Sequence, residues 1–137
     1  MAKATLSFDR LRVLIIEDRK ETRTMIKTML GEMGINQVFE AGDGREGMEF
    51  IDIAADMVDI VLCDWNMPGM SGLQLLQQIR SVNGELPFLL VTGRSDRDSV
   101  LEAKGAGVTA YIRKPFSLNE LEAKLRIIHE KAHSAAA

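Results

Sequence analysis

Cysteine is almost absent from this chain of 137 residues, since Cys63 carries its only thiol. A single cysteine excludes a disulfide framework and a thiolate metal site, and such a composition is typical of proteins of the reducing cytoplasm. Cys63 lies within the apolar run IVLC. We therefore expect it to be a small core residue.

The chain also has no excess of positive charge and no long apolar run. The 17 lysines and arginines are outnumbered by 20 acidic residues, for a formal net charge of −3, and they form no basic stripe that could follow a phosphate backbone. No apolar run is long enough to cross a bilayer, and the N-terminal residues lack the apolar segment of a secretory signal. We therefore expect a cytoplasmic protein that neither inserts into a membrane nor binds nucleic acid through this chain.

Short apolar runs alternate with segments of helical periodicity along the whole sequence. Strands are predicted at residues 11–16, 36–41, 59–63, 87–91 and 108–113. Helices are predicted at residues 20–33, 45–54, 73–82, 96–105 and from 117 onward, the last one fraying from about Lys131. This alternation indicates right-handed crossovers and an α/β fold, a doubly wound five-stranded parallel sheet covered by helices on both faces.

Side chains that can carry chemistry follow four of the predicted strands. Glu17 and Asp18 follow the first strand, Asp64 the third, Thr92 the fourth and Lys114 the fifth. Because the carboxyl ends of parallel strands meet at one edge of a sheet, where open α/β sheets bind their ligands, we expect these residues to converge. Carboxylates held together raise one another's pKa unless a cation compensates their charge.

The chemistry of this cluster favours Mg²⁺ and a phosphoryl group. An all-oxygen ligand set suits a hard cation, and a small open cluster that keeps several waters suits Mg²⁺ better than Ca²⁺. A phosphoryl group would complete the coordination of the metal, with Lys114 as a point charge and Thr92 as a hydroxyl donor to its other oxygens.

Each of these residues also has a simpler explanation on its own. Asp18 could cap the first helix, Asp64 could form a turn, Thr92 could bond to its own backbone, and Lys114 could be an ordinary surface lysine. Caps and turns do not, however, require opposite charges at the ends of the first, third and fifth strands.

Taken together, these features resemble the receiver domain of bacterial two-component response regulators. The resemblance lies in an acidic pair after the first strand, a lone aspartate in DWNMPGMSG after the third, threonine after the fourth and Lys-Pro after the fifth. With DWNMPGMSGLQLL and YIRKPF, the chain is most similar to the stand-alone chemotaxis regulators. The resemblance covers residues 11–131, leaving 1–10 and 132–137 as tails, and it implies a flavodoxin-like sheet of strand order 2-1-3-4-5 with five helices.

The resemblance implies how the acidic residues act. Asp64 would be the phosphoacceptor, attacking a phosphohistidine of a partner histidine kinase or phosphotransfer protein to form an aspartyl phosphate. Asp18, Asp64 and the backbone carbonyl of Asn66 would bind Mg²⁺, with Glu17 acting through a water molecule.

The resemblance also implies a switch. Thr92 and Lys114 would hold the phosphoryl oxygens, Tyr111 would turn inward as Thr92 moves, and the Lys114–Pro115 bond would be cis. A downstream protein would then bind the surface formed by the fourth helix, the fifth strand and the last helix. Such a chain is a signalling phosphoacceptor rather than an enzyme. Gly93 follows Thr92 where alanine is frequent in the family, and this glycine should loosen the loop.

The loop after the third strand contains the only tryptophan, Trp65. We expect Trp65 to be partly exposed and, beside Asp64, to report metal binding. Met67 and Met70, in the same loop, are expected to fill the core or to contact a partner.

Other functions remain open on the sequence alone. A Mg²⁺-dependent phosphohydrolase of the dehalogenase type would also use Asp64 as its nucleophile, but such enzymes usually carry a second aspartate two residues later, where this chain has Asn66. The chain could also be a receiver from a longer DNA-binding regulator, a phosphate sink or a relay intermediate.

Overall fold

A five-stranded parallel sheet forms the centre of the computed structural model, which describes residues 7–93 and 96–136, with side chains up to residue 132. The strands are β1 (Arg12–Ile16), β2 (Gln37–Ala41), β3 (Ile60–Asp64), β4 (Phe88–Thr92) and β5 (Ala110–Arg113). Their order in the sheet is β2-β1-β3-β4-β5, and all neighbouring pairs are parallel. The predicted strand order is therefore confirmed, and β3 is the central strand.

Helices connect the strands and cover both faces of the sheet. They are α1 (Lys20–Glu32), α2 (Gly44–Ala54), α3 (Gly72–Val82), α4 (Arg97–Gly105) and α5 (Leu118–Ala136), with a short 3-10 turn, Ala55–Met57, after α2. The core under α1 and α5 is separate from the core under α2, α3 and α4. The predicted doubly wound α/β fold is thus confirmed, and in the described residues no helix is both long and apolar enough to span a bilayer.

The central strands are apolar throughout because both of their faces are buried. In β1, Val13 and Ile15 pack under α1 and α5, whereas Leu14 and Ile16 pack under the other three helices. Period-two alternation between two buried faces explains why the sequence shows a continuous apolar run here instead of alternating polarity. The edge strands β2 and β5 are only partly buried.

Trp65 contradicts the sequence prediction, because its side chain is only 4% exposed. Its backbone N–H donates to the Val91 carbonyl at 2.8 Å, so the extended conformation of β3 continues for one residue beyond Asp64. Val61, Cys63 and Trp65 therefore lie on the same face of the sheet and join the same core. Met67 is also buried in this core, as the first of its two alternatives predicted.

Ordered packing and helical structure extend into the two end segments of the described residues. Phe8, placed in the first tail, is 3% exposed and packs with its ring centroid 5.7 Å from that of His129. At the other end α5 continues to Ala136, past the predicted fraying point at Lys131, since AHSAA is rich in alanine and contains no glycine or proline to end a helix. Residues 1–6 lie outside the described residues.

Candidate functional site

The carboxyl ends of β1, β3, β4 and β5 bring the predicted site residues together. Asp64 is the last residue of β3 and pairs with Val91, one residue before Thr92 at the end of β4. Thr92 in turn pairs with Arg113, the residue before Lys114. Glu17 directly follows β1, which is the other neighbour of β3 in the sheet. Parallel pairing in this register therefore confirms the predicted convergence at one edge.

Three carboxylates form the centre of this cluster. Glu17, Asp18 and Asp64 each offer an oxygen, and these oxygens lie within 4.8 Å of one another. Glu17 and Asp64 are buried, at 1% and 6% exposure, whereas Asp18 is more exposed than either. The acidic cluster, defined as these three residues, is therefore closed on the protein side and open to solvent at Asp18.

Lys114 supplies the opposite charge. Its Nζ lies 3.2 Å from Asp64 Oδ1 and 3.7 Å from Glu17 Oε2. Its backbone N–H donates to the Thr92 carbonyl at 2.8 Å, and the bond to Pro115 is cis, as predicted. One ammonium group thus faces two buried carboxylates, which leaves the cluster with an excess of negative charge.

Glu17 shows the consequence of this excess most clearly. Its Oε1 accepts a hydrogen bond from the Arg19 backbone N–H at 3.2 Å, but among the described residues its buried Oε2 has no hydrogen-bond donor. Burial first, and then the charge of Asp64, raise the pKa of Glu17 to about 7, while Lys114 acts in the opposite direction.

These observations fit a hard divalent cation. A buried carboxylate oxygen without a donor is energetically unfavourable, and a cation bound by the acidic cluster would remove both that penalty and the mutual repulsion. The donor set is entirely oxygen, and Asp18 faces enough solvent to leave water on the metal, as Mg²⁺ prefers. The Asn66 carbonyl, in the exposed loop that follows, remains a predicted ligand.

The backbone of the phosphoacceptor candidate is fixed by a close approach of α3. The Gly72 N–H donates to the Trp65 carbonyl at 2.9 Å, and a Cβ on Gly72 would lie 2.2 Å from the Asp64 carbonyl oxygen. Only glycine allows this contact. Ser71 then caps α3 in a reciprocal pair with Gln74, so the loop between β3 and α3 ends at a well-defined helix start.

Thr92 and Tyr111, the residues of the predicted switch, lie on the neighbouring strands β4 and β5, and their roles remain predictions. Thr92 is 2% exposed at the end of β4. Tyr111 is half-buried on β5, opposite Leu90, and packs against the core under α2, α3 and α4. Gly93 does not use a conformation restricted to glycine, and a Cβ there would meet nothing within 4 Å. The loop therefore does not require glycine at this position.

Sequence reasoning missed Gly72 and Arg23 at this edge. Arg23, on α1, donates through Nη1 to the Glu17 carbonyl at 2.8 Å. Bonds from side chains to backbone carbonyls leave little trace in a single sequence, because arginine is common on exposed helix faces. The glycine directly after the capping serine was the available signal for close packing at Gly72.

Comparison with known proteins agrees with this arrangement. The response regulator receiver domain family matches residues 13–126. The chain is 35% identical to the chemotaxis protein CheY of Pseudomonas aeruginosa, over 90% of this chain and 99% of that protein. It is 38% identical to the chemotaxis protein CheY-3 of Vibrio cholerae, over 88% of this chain and 93% of that protein.

A solved structure supports the same assignment. The crystal structure of a response regulator receiver domain protein from Clostridium thermocellum superposes with a TM-score of 0.84 at 26% identity, covering 91% of this chain and 98% of that one. The family match covers most of the chain, and the curated relatives match over nearly their full length. This chain therefore belongs to the CheY-like receiver domains of two-component response regulators.

Proposed function

We propose that this receiver domain is a phosphorylation-controlled switch that accepts a phosphoryl group on Asp64 from a histidine kinase or a histidine phosphotransfer protein. The observation that carries the proposal is the acidic cluster with Lys114 Nζ 3.2 Å from Asp64 Oδ1. A nucleophilic carboxylate, two further acids and an amine at one sheet edge are the groups that phosphoryl transfer to aspartate requires.

In the transfer step, an Oδ of Asp64 attacks the phosphorus of the phosphohistidine, and the P–N bond breaks with its electron pair remaining on the imidazole. Asp18, Asp64 and the Asn66 carbonyl would hold Mg²⁺, with Glu17 acting through a water, and the bound ion would supply positive charge for the phosphoryl oxygens. Lys114 neutralises a further oxygen, and the Thr92 hydroxyl donates to another.

The same contacts convert the modification into a signal. When Thr92 moves toward the phosphoryl group, Tyr111 turns inward and the position of α4 changes. The phosphoryl group therefore shifts the equilibrium between two arrangements of one surface. Its contacts with Thr92 and Lys114 supply the free energy for this shift. The proposed signal is therefore a conformational change at a surface away from Asp64.

The output surface, defined as the exposed sides of α4, β5 and α5, suits a protein partner. Leu101 on α4 and Ile127 on α5 are large apolar side chains that are each 52% exposed. Tyr111, Lys124 and Ile127 also line a depression of about 360 Å³ between β5 and α5. The similarity to chemotaxis proteins makes a chemotaxis pathway in the cytoplasm the proposed setting.

Phosphorylation of the intact chain tests the proposal directly. Incubation with Mg²⁺ and acetyl phosphate should add one phosphoryl group, measured by intact mass, that is stable in acid and lost in base. Asp64→Asn should remain unmodified, whereas Asp9→Asn, at an exposed aspartate outside the acidic cluster, should be modified as the wild type is. An unmodified wild type, or equal modification of Asp64→Asn, would overturn the proposal.

Amide hydrogen exchange tests the switch. Beryllium fluoride, which mimics a phosphoryl group on a carboxylate, should change exchange in α4 and β5 of the wild type. It should not change exchange in α1, on the other face of the sheet. A uniform change over all helices, or none, would contradict the assigned output surface.

A further inference from the structure

Arg23 connects three separate elements beside the acidic cluster. It lies at the end of the first turn of α1, and its side chain is 19% exposed. Nη1 donates to the Glu17 carbonyl at 2.8 Å, and Nε donates to Glu40 Oε1, on β2, at 3.3 Å. One guanidinium therefore joins α1 and β2 to the turn that carries two of the three clustered acids.

Several hydrogen bonds hold the turn after β1. The bond from Arg23 is made to the Glu17 carbonyl. The Glu17 N–H donates to the Ala41 carbonyl at 3.1 Å, and the Glu17 side chain accepts from the Arg19 N–H at 3.2 Å. The Glu17 carbonyl belongs to the peptide that joins Glu17 to Asp18. Fixing its direction fixes the plane of that peptide and hence the direction in which the Asp18 side chain leaves the backbone.

We propose that Arg23 is a positioning residue for the metal site, which orients the Glu17–Asp18 peptide so that both carboxylates converge on Asp64. It touches neither the metal nor the phosphoryl group and acts only through the carbonyl of Glu17. The inference rests on the proposed Mg²⁺ site.

A purely electrostatic role for Arg23 would have the opposite sign. A guanidinium that bonds the backbone of the turn carrying Glu17 and Asp18 adds positive charge beside the metal site and opposes the binding of a further cation, so removing its charge alone would tighten Mg²⁺ binding. Removing a positioning contact instead weakens Mg²⁺ binding, because the ligands are no longer held in place. The direction of the change in affinity therefore separates the two roles.

The chain offers a matched control at Lys27. Lys27 Nζ pairs with Glu40 Oε2 at 3.3 Å, so it is a cation on the same helix bound to the same carboxylate as Arg23. In the described part of the chain Lys27 pairs with Glu40, whereas the bond to the Glu17 carbonyl in the turn after β1 comes from Arg23. Lys27→Met removes the same charge without touching the Glu17 carbonyl.

Replacement of Arg23 by lysine keeps the positive charge but loses the planar geometry of the guanidinium. Arg23→Lys leaves a single point donor in place of a planar fork, and a point donor cannot bond the Glu17 carbonyl and Glu40 in the same arrangement. The positioning role predicts that Arg23→Lys weakens Mg²⁺ binding as Arg23→Met does. The electrostatic role predicts that it leaves the affinity unchanged.

Calorimetric titration of the full chain with Mg²⁺ decides between these roles, without phosphorylation. We expect the Kd to rise about 10-fold in Arg23→Met and Arg23→Lys. We expect it to stay within about two-fold in Lys27→Met, since Mg²⁺ is only weakly affected by one screened surface charge. Amide exchange at Asp18 and Arg19 should also be faster in both Arg23 variants before metal is added.

Each outcome has a defined meaning. Tighter or unchanged Mg²⁺ binding in Arg23→Met, or an equal loss in Lys27→Met, would overturn the positioning role. If Arg23→Met does not fold, as judged by circular dichroism, the same comparison is made with Arg23→Lys. A wild type that binds no Mg²⁺ would overturn the proposed metal site and the role of Arg23 with it, whereas normal wild-type binding with unaffected Arg23 variants would overturn this inference alone.

Discussion

Lys114 Nζ lies 3.2 Å from Asp64 Oδ1, although the two residues stand at the ends of β5 and β3, which are separated in the sheet by β4. The lysine side chain therefore crosses above the end of β4, next to Thr92. Any group that binds to Asp64 must share this space with the ammonium. The pair thus links the end of the central strand β3 to the end of the edge strand β5.

Lys114→Ala should preserve Mg²⁺ binding and abolish the switch. Removal of the ammonium takes away a charge that opposes a cation, so the Kd for Mg²⁺ should be unchanged or lower. Beryllium fluoride should no longer change amide exchange in α4, because Asp64 and β5 are no longer linked. Lys131→Ala, at an exposed lysine on α5, is the control. Loss of Mg²⁺ binding in Lys114→Ala would show that its role has been misassigned.

Glu17→Gln should stabilise the metal-free protein, and more so at high pH. Between 4.5, the ordinary pKa, and about 7, the value in the folded chain, Glu17 binds a proton in the folded state but not in the unfolded state. Stability is therefore lost as the pH rises through this range. At pH 8 the Tm of Glu17→Gln should exceed that of the wild type by at least about 3 °C, since roughly 1 kcal/mol corresponds to such a shift in a domain of this size.

Two conditions check the cause of that shift. At pH 4.5 the wild type and Glu17→Gln should unfold at nearly the same temperature, because Glu17 is then protonated in the folded state. In excess Mg²⁺ at pH 8 the difference should shrink, as the cation stabilises the wild-type carboxylate. A constant difference at all pH values would instead point to packing.

Gly72→Ala should destabilise the domain strongly. The new Cβ would overlap the carbonyl oxygen of Asp64, a backbone atom that cannot move aside without distorting β3. Overpacking of this kind costs about 1–3 kcal/mol or more in the free energy of unfolding, measured by urea denaturation. Gly31→Ala, in α1 and with nothing within 4 Å of the new Cβ, should stabilise by about 0.5–1 kcal/mol. Similar effects of both changes would contradict the close approach.

Trp65 should behave as a buried fluorophore that senses the acidic cluster. Its 4% exposure predicts blue-shifted emission and weak quenching by acrylamide. Because it follows Asp64 directly, Mg²⁺ should change its emission in the wild type but not in Asp64→Asn. Quenching as strong as in the urea-unfolded chain, or a response retained in Asp64→Asn, would contradict this placement.

The strands β1, β3 and β4 and their ends could be predicted because each is a short apolar run that leads directly to a charged or polar residue. The burial of Trp65 could also have been predicted, since the residue continues the period-two pattern of Val61 and Cys63. The proline and glycine that follow Trp65 led us to place it in the loop instead of the strand. Phe8 could not be placed, because an isolated aromatic in a polar segment gives no periodic signal.

Within the site, the sequence identified the side chains but not what holds them. Convergence of Glu17, Asp64 and Lys114 follows from parallel pairing alone, which the strand pattern implies. The hydrogen bond from Arg23 to the Glu17 carbonyl depends on the path of α1 over the sheet. The pattern of residue types does not determine the distance between the Arg23 side chain and the Glu17 carbonyl.

The close approach of Gly72 to the Asp64 carbonyl fixes the position of the Asp64 main chain relative to α3. The end of β3 cannot shift without displacing α3, which is itself packed into the core. In the proposed switch, phosphorylation of Asp64 would therefore act through its side-chain oxygens, toward Thr92 and Lys114, rather than through its backbone. The proposed function thus divides the domain into a rigid part, formed by β3 and α3, and a responsive part, which begins at Thr92 and Lys114.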